Sequence, residues 1–145
     1  PLVASLVASR RASHDIALTG DGNHLVLADP LLLEQAIGHL LQNAVDASAP
    51  LQPVTVRMGG DGDEVTVAII DLGQGMDSDF IRNRLFQPFA STKKGGFGVG
   101  AFEARSLIAA MGGRLSIDSR PGKGSRLTIH LPECRPAIDQ SRISA

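Results

Sequence analysis

Apolar residues recur along this chain with two different periods, and the changes between them divide it into elements. Leu2, Leu6 and Val7 share one side of a short amphipathic helix running to Arg11. Ile16–Leu18 and Leu25–Ala28 read as short strands about the turn Gly20–Asn23. Asp29 followed by Pro30 is a helix start, with aspartate as N-cap and proline at the first helical position. A stripe of Leu33, Ile37, Leu40, Leu41 and Ala44 carries that helix to about Ala47, before Pro50 and Pro53 end it. Val54–Met58 and Val65–Ile70 form a hairpin across Gly59–Gly62. Helical spacing returns over Gly98–Met111 and stops at Gly112 and Gly113. Arg114–Asp118 and Ser125–Leu131 are closing strands joined by Pro121–Gly124. This order predicts an α+β fold, a two-layer sandwich of one mixed sheet with about three helices on one face.

Two stretches resist this division. Residues 71–97 hold no sustained period and are rich in Gly, Asp, Ser and Lys, and a loop of that length in a compact domain is usually functional or mobile. After Pro132 the chain has little to bury, so residues 134–145 read as a flexible tail behind a domain of residues 1–133.

Composition narrows the function. At 145 residues the chain is one domain, long enough to bury a core, and 43% hydrophobic with 20% charged residues is an ordinary globular balance. A net charge of −1 argues against a general nucleic-acid or membrane-surface binder, so any polyanion must be met by a local site. No apolar run approaches the roughly 18 residues that span a bilayer, and no signal peptide is visible. The lone Cys134 forms no internal disulfide and suits a reducing compartment. The start at Pro1, without methionine, reads as a fragment of something longer.

The chemistry is concentrated in a few polar positions. Asp71 shares strand parity with Val65, Val67 and Ile69, which puts a carboxylate on the side facing the helices. That placement is costly unless a donor meets it. It either caps its own turn or receives a ligand, and Gly73 and Gly75 beyond it allow a close approach of backbone to a ligand. Ser125 shares parity with Leu127, Ile129 and Leu131, so its hydroxyl points into the same layer, whereas His130 has the opposite parity and reads as a surface histidine. Asn43 follows His39 by one helical turn, on a face apart from the Leu/Ile stripe, and its amide oxygen is a hard neutral ligand suited to Mg²⁺. Gly96, Gly98 and Gly100 open the third helix, where free backbone amides bind phosphate. Lys93 and Lys94 either meet phosphate or are solvated. Phe86, Phe89 and Phe97 fall in this loop region of a chain with five phenylalanines.

The run Glu34–Ala47 with Asn43, the segment Asp71-Leu-Gly73-Gln-Gly75-Met76, the segment Leu85–Lys93 and the turn Gly95–Gly100 resemble the N, G1, F and G2 boxes of sensor histidine kinases. Their ATP-binding domain belongs with gyrase, Hsp90-type chaperones and MutL, and the resemblance covers roughly residues 1–133. It implies a Bergerat-type fold with a long ATP lid at about residues 77–97. It also implies that Asp71 reads the adenine amine, with Ser125 helping to hold it and a bridging water. Asn43 would coordinate the magnesium on the triphosphate. Ala47, Gly73, Gly75, Met76, Phe86, Thr92, Lys93, Gly96, Phe97, Gly98, Val99 and Gly100 would surround the nucleotide, while Asp46 lies near the phosphates or is solvated. His39, Asn43 and Lys93 would serve catalysis.

His39 departs from the ATP-hydrolysing relatives, which carry a glutamate four residues before the asparagine as general base. The departure favours a kinase, which must protect the γ-phosphate from water until an acceptor arrives. The implied partners are ATP, a histidine-containing dimerisation domain of the same full-length protein and a downstream response regulator. The fragment itself would be monomeric and the full-length protein a homodimer. Ser13-His14-Asp15 is rejected as the acceptor motif because it feeds directly into a strand. Residues 91–105 are also similar to the kinases of PEP-CTERM/exosortase systems, which implies a cytoplasmic domain of a protein anchored in the inner membrane. Two other classes stay open: an ATP-driven switch of the chaperone or MutL type, and a degenerate nucleotide-binding module.

Overall fold

A computed structural model describes residues 2–10, 15–20, 26, 29–49, 51–73, 75–76 and 97–133. In chain order these form α1 (Leu2–Arg10), β1 (Ile16–Gly20), α2 (Pro30–Ala47), β2 (Val54–Asp61), β3 (Glu64–Asp71), α3 (Phe97–Ala110), β4 (Arg114–Ser119) and β5 (Ser125–Pro132). The strands make one sheet in the order β1-β2-β3-β5-β4. β1 lies parallel to β2 because α2 carries the chain back across the sheet between them, and the other pairings are antiparallel. The expected α+β sandwich is the fold that forms.

Alternation dictates which face is buried. Leu18, Val56, Ile69, Leu127 and Ile117 stand opposite one another in a single row across all five strands. This row and the neighbouring Val54 and Ile129 meet Val7, Ile37, Leu40, Leu41 and Ile108 from the helices in one core. α2 is set as its sequence requires. The Leu31 N–H donates to the Asp29 side chain at 2.9 Å, and at the far end the Ser48 N–H donates to the Val45 carbonyl. α3 ends where the two glycines predict: the Gly113 N–H reaches back to the Ile108 carbonyl at 2.9 Å, with Gly112 in the left-handed region at φ 80°. α3 packs chiefly on α2, through a stripe of Ala101, Ala104 and Ile108. Among the described residues, no helix is long and apolar enough to cross a membrane.

Three expectations change. The β2–β3 turn is tighter than Gly59–Gly62, because Gly59 and Gly60 still pair with Thr66 and Val65 and the chain reverses at Gly62-Asp63. Of the strand expected at Leu25–Ala28, only Val26 is described, forming an isolated antiparallel bridge to Glu133. His130 does lie on the outer face but is enclosed, with 11% of its side chain exposed. Strands on both sides supply the enclosure. Ser116 Oγ is 2.8 Å from its Nε2, and the Glu64 carboxylate, which accepts from Arg114 at 3.0 Å, lies 3.5 Å from its Nδ1. The expected tail, residues 134–145, lies outside the described residues.

Ala104 is wholly buried on α3, the helix that packs chiefly on α2. An Ala104→Leu substitution is expected to cost about 1–3 kcal/mol. Phe102→Ala, on the more open side of the same helix, should cost about 1 kcal/mol or less. Urea unfolding of both variants checks the order, and equal losses would contradict the packing described.

Candidate nucleotide-binding site

Beyond the apolar row, the inner face turns polar at the ends of three strands. Asp71 of β3 stands opposite Ser125 of β5, and Ser125 opposite Ser119 of β4. Among the described residues, the buried polar or charged side chains are Asn43, Asp71 and Ser125, at 5%, 2% and 4% exposure. All three were singled out by pattern, and no ordinary core position needs them.

Burial pushes the Asp71 carboxyl above its ordinary 3.8, while the backbone N–H groups of Gly73 and Ser125 draw it back down. The Gly73 bond is 2.9 Å. These two donors leave acceptor capacity on a carboxylate with four lone-pair positions. A donor such as an exocyclic amine would fill it and offset the desolvation.

The loop after Asp71 is threaded between α2 and the β4–β5 turn. A Cβ at Gly73 would run into the Ala47 carbonyl oxygen, so the last turn of α2 and the end of β3 are in direct backbone contact. Gly75 sits at φ 72°, and a Cβ there would collide with the Arg120 carbonyl oxygen. Met76 sends its side chain into the core and its N–H to Ser119 Oγ at 2.8 Å.

Ser119 is a residue that the sequence did not flag. Its hydroxyl donates to the Gly124 carbonyl at 3.0 Å and accepts from Met76, so the 2.8 Å contact with Ser125 has Ser125 as donor. The Ser125 hydroxyl is thus turned towards Ser119, and the backbone N–H of Ser125 supports Asp71. A serine ending a strand has no distinguishing pattern. Only the register that puts it beside Ser125 reveals it.

On α2, Asn43 has its amide nitrogen enclosed without a hydrogen-bond partner among the described residues. An orphaned amide in a core costs free energy unless a ligand or water completes it. A single neutral amide suits Mg²⁺, which keeps most of its ligands as phosphate and water. One turn earlier, His39 Nε2 is 3.0 Å from Glu103 Oε2 of α3. Asp46 is exposed and accepts from Gln42 at 2.8 Å along the helix, which is the solvated of its two readings. The backbone of Phe97, Gly98, Val99 and Gly100 forms the first turn of α3. Phe86, Thr92, Lys93 and Gly96, with the expected lid, lie outside the described residues.

Comparison with known proteins identifies the family and the fold. Residues 28–135 match the model of the histidine kinase-, DNA gyrase B-, and HSP90-like ATPase family. The C4-dicarboxylate transport sensor protein DctS of Rhodobacter capsulatus is 39% identical over 111 residues, covering 74% of this chain and 17% of that protein. The sensor histidine kinase ZraS of Klebsiella oxytoca is 36% identical over 132 residues, 88% of this chain and 28% of that protein. The chain therefore spans less than a third of the length of these relatives. The crystal structure of full-length ShkA in complex with AMPPNP superposes with a TM-score of 0.80 over 93% of this chain and 30% of that one, at 24% identity, which speaks for the fold. The chain belongs to the histidine kinase-, DNA gyrase B- and HSP90-like ATPase family, as an ATP-binding catalytic domain of the histidine kinase type.

Proposed function

We propose that this domain binds Mg-ATP and transfers the γ-phosphate to a histidine on a dimerisation domain outside this chain, within a two-component sensor kinase. The observation that carries the reading is that the buried polar side chains among the described residues are Asn43, Asp71 and Ser125, with Asp71 paired to Ser125 and the Gly73 beyond it packed on Ala47, one turn from Asn43. Asp71 would accept from the adenine amine, with the backbone of Gly73 and Gly75 against the base and Ala47 and Met76 bounding the pocket. Asn43 would hold Mg²⁺ through its amide oxygen. The metal, when bound, neutralises charge on the phosphates. The amides opening α3, at Gly98–Gly100, would cradle the phosphates together with Gly96 and Lys93, and Phe86 and Thr92 would belong to the covering loop.

His39 in place of a glutamate supports a kinase over a hydrolytic switch. A dimerising partner domain, a response regulator and a cytoplasmic position follow from the same reading. So does the narrower likeness of residues 91–105 to the PEP-CTERM-associated kinases, whose membrane anchor would lie outside this chain.

Titration calorimetry with a non-hydrolysable ATP analogue tests the site. Asp71→Ala should weaken binding roughly 10- to 100-fold, the loss of a hydrogen bond to a buried charge worth about 1.5–3 kcal/mol. Asn43→Ala should remove the gain in affinity that Mg²⁺ brings. Unchanged binding by Asp71→Ala would overturn the adenine assignment.

Asp71 also predicts a pH dependence. Above the ordinary value of 3.8 the unfolded carboxyl is ionised while the folded one still holds its proton, so the unfolded state binds fewer protons. Stability of the nucleotide-free domain therefore falls as pH rises through this window and levels off above the raised folded value. Asp71→Asn lacks this contribution, so its melting temperature should gain on the parent's across the same window. A difference between the two that stays constant with pH would contradict the burial described.

A further inference from the structure

We infer that Glu103 is a positioning residue that fixes the tautomer and orientation of His39, so that Nδ1 of His39 accepts a hydrogen bond from the hydrated Mg-triphosphate. The inference rests on the nucleotide reading above and adds to it two residues with distinct tasks.

The tautomer follows from one contact. Glu103 Oε2 lies 3.0 Å from His39 Nε2, and because a carboxylate only accepts, the contact assigns a proton to Nε2. In the neutral ring the lone pair is then on Nδ1, which has no hydrogen-bond partner among the described residues. A carboxylate on one imidazole nitrogen that directs the other towards a metal site is a recurrent second-shell arrangement.

The placement of the pair gives that lone pair its task. His39 and Asn43 are four residues apart on α2 and so lie on one face, one turn from each other. Glu103 lies three residues beyond Gly100, one turn past the amides that open α3. The pair thus joins the helix bearing the metal ligand to the helix bearing the phosphate cradle. Mg²⁺ gives up its waters reluctantly and reaches a protein with several still bound. The Nδ1 lone pair, one turn from Asn43, suits such a water, and it does so without the carboxylate that a glutamate would bring.

Stability does not account for the pair. Both side chains are well exposed, at 36% and 47%, and so open an ion pair contributes little to folding. The α2–α3 contact is already made by Ala101, Ala104 and Ile108 beneath it.

The test compares affinity for a non-hydrolysable ATP analogue in Mg²⁺ and in EDTA, alongside ¹⁵N ring shifts of His39. Glu103→Ala and His39→Ala should each reduce the Mg²⁺-dependent gain roughly tenfold. Affinity in EDTA should be unchanged, and the double variant should lose no more than either single one. Glu103→Gln, whose amide oxygen accepts the same bond, should restore most of the gain. In the parent the His39 ring should be the Nε2–H tautomer, and in Glu103→Ala a mixture.

An unchanged Mg²⁺ gain in Glu103→Ala, or an equal loss with and without the metal, would overturn the inference while leaving the nucleotide site standing. Failure of the parent domain to bind the analogue under either condition would instead overturn the nucleotide reading, and this inference with it.

Discussion

The register between β3 and β5 is the constraint on which the rest of this site depends. Because side chains alternate strictly along a strand, the pairing of Ile69 with Leu127 also commits Asp71 and Ser125 to the inner face two residues on. A slip of one residue would bring Ile70 and Arg126 inward and expose the carboxylate. The apolar rows of the core thus hold the position of one charged group that is itself unfavourable there. Its pKa is raised by the burial that makes it useful, and part of the stability gained in those rows is offset at their end.

Around that carboxylate the structure uses backbone far more than side chains. Gly73 passes against the Ala47 carbonyl, Gly75 against that of Arg120, and Ser119 gathers Met76, Gly124 and Ser125 into one network. Three elements distant in sequence therefore meet at a point where little side-chain volume intervenes. Glycine is what allows these backbones to meet so closely, and the Ser119 hydrogen bonds tie the loop after Asp71 to the β4–β5 turn.

Much of this was legible beforehand because it follows from strong local rules. The Asp29-Pro30 start, the paired glycines ending α3 and the period of each strand fix the elements, and parity alone turned Asp71 and Ser125 inward. What escaped was tertiary. Ser119 carries no periodic signal, being an ordinary serine until β4 aligns with β5. Glu103 is an exposed glutamate on an amphipathic helix, and only the approach of α3 to α2 gives it His39. Parity places His130 on the outer face but reports only direction, not the Ser116 and Glu64 that neighbouring strands set around it. The β2–β3 reversal was misplaced because Gly59 and Gly60 read as turn residues, yet they pair in the ladder, which needs only backbone.

The separation of Asp71 from Ser125 along the chain has a kinetic consequence. The β2–β3 and β4–β5 hairpins close over a few residues each, so their contacts form early. The seam between β3 and β5 must bridge everything from Asp71 to Ser125, including a whole helix, and such long-range pairing is slow because the intervening chain must first be ordered. Asp71 and Ser125, the polar end of the candidate site, lie on that seam. On this topology, recognition of nucleotide is expected to arise late in folding, after the two hairpins have closed. Ligand captured at that moment favours the joined halves over the separate ones by mass action, so the nucleotide acts on the final assembly of its own pocket.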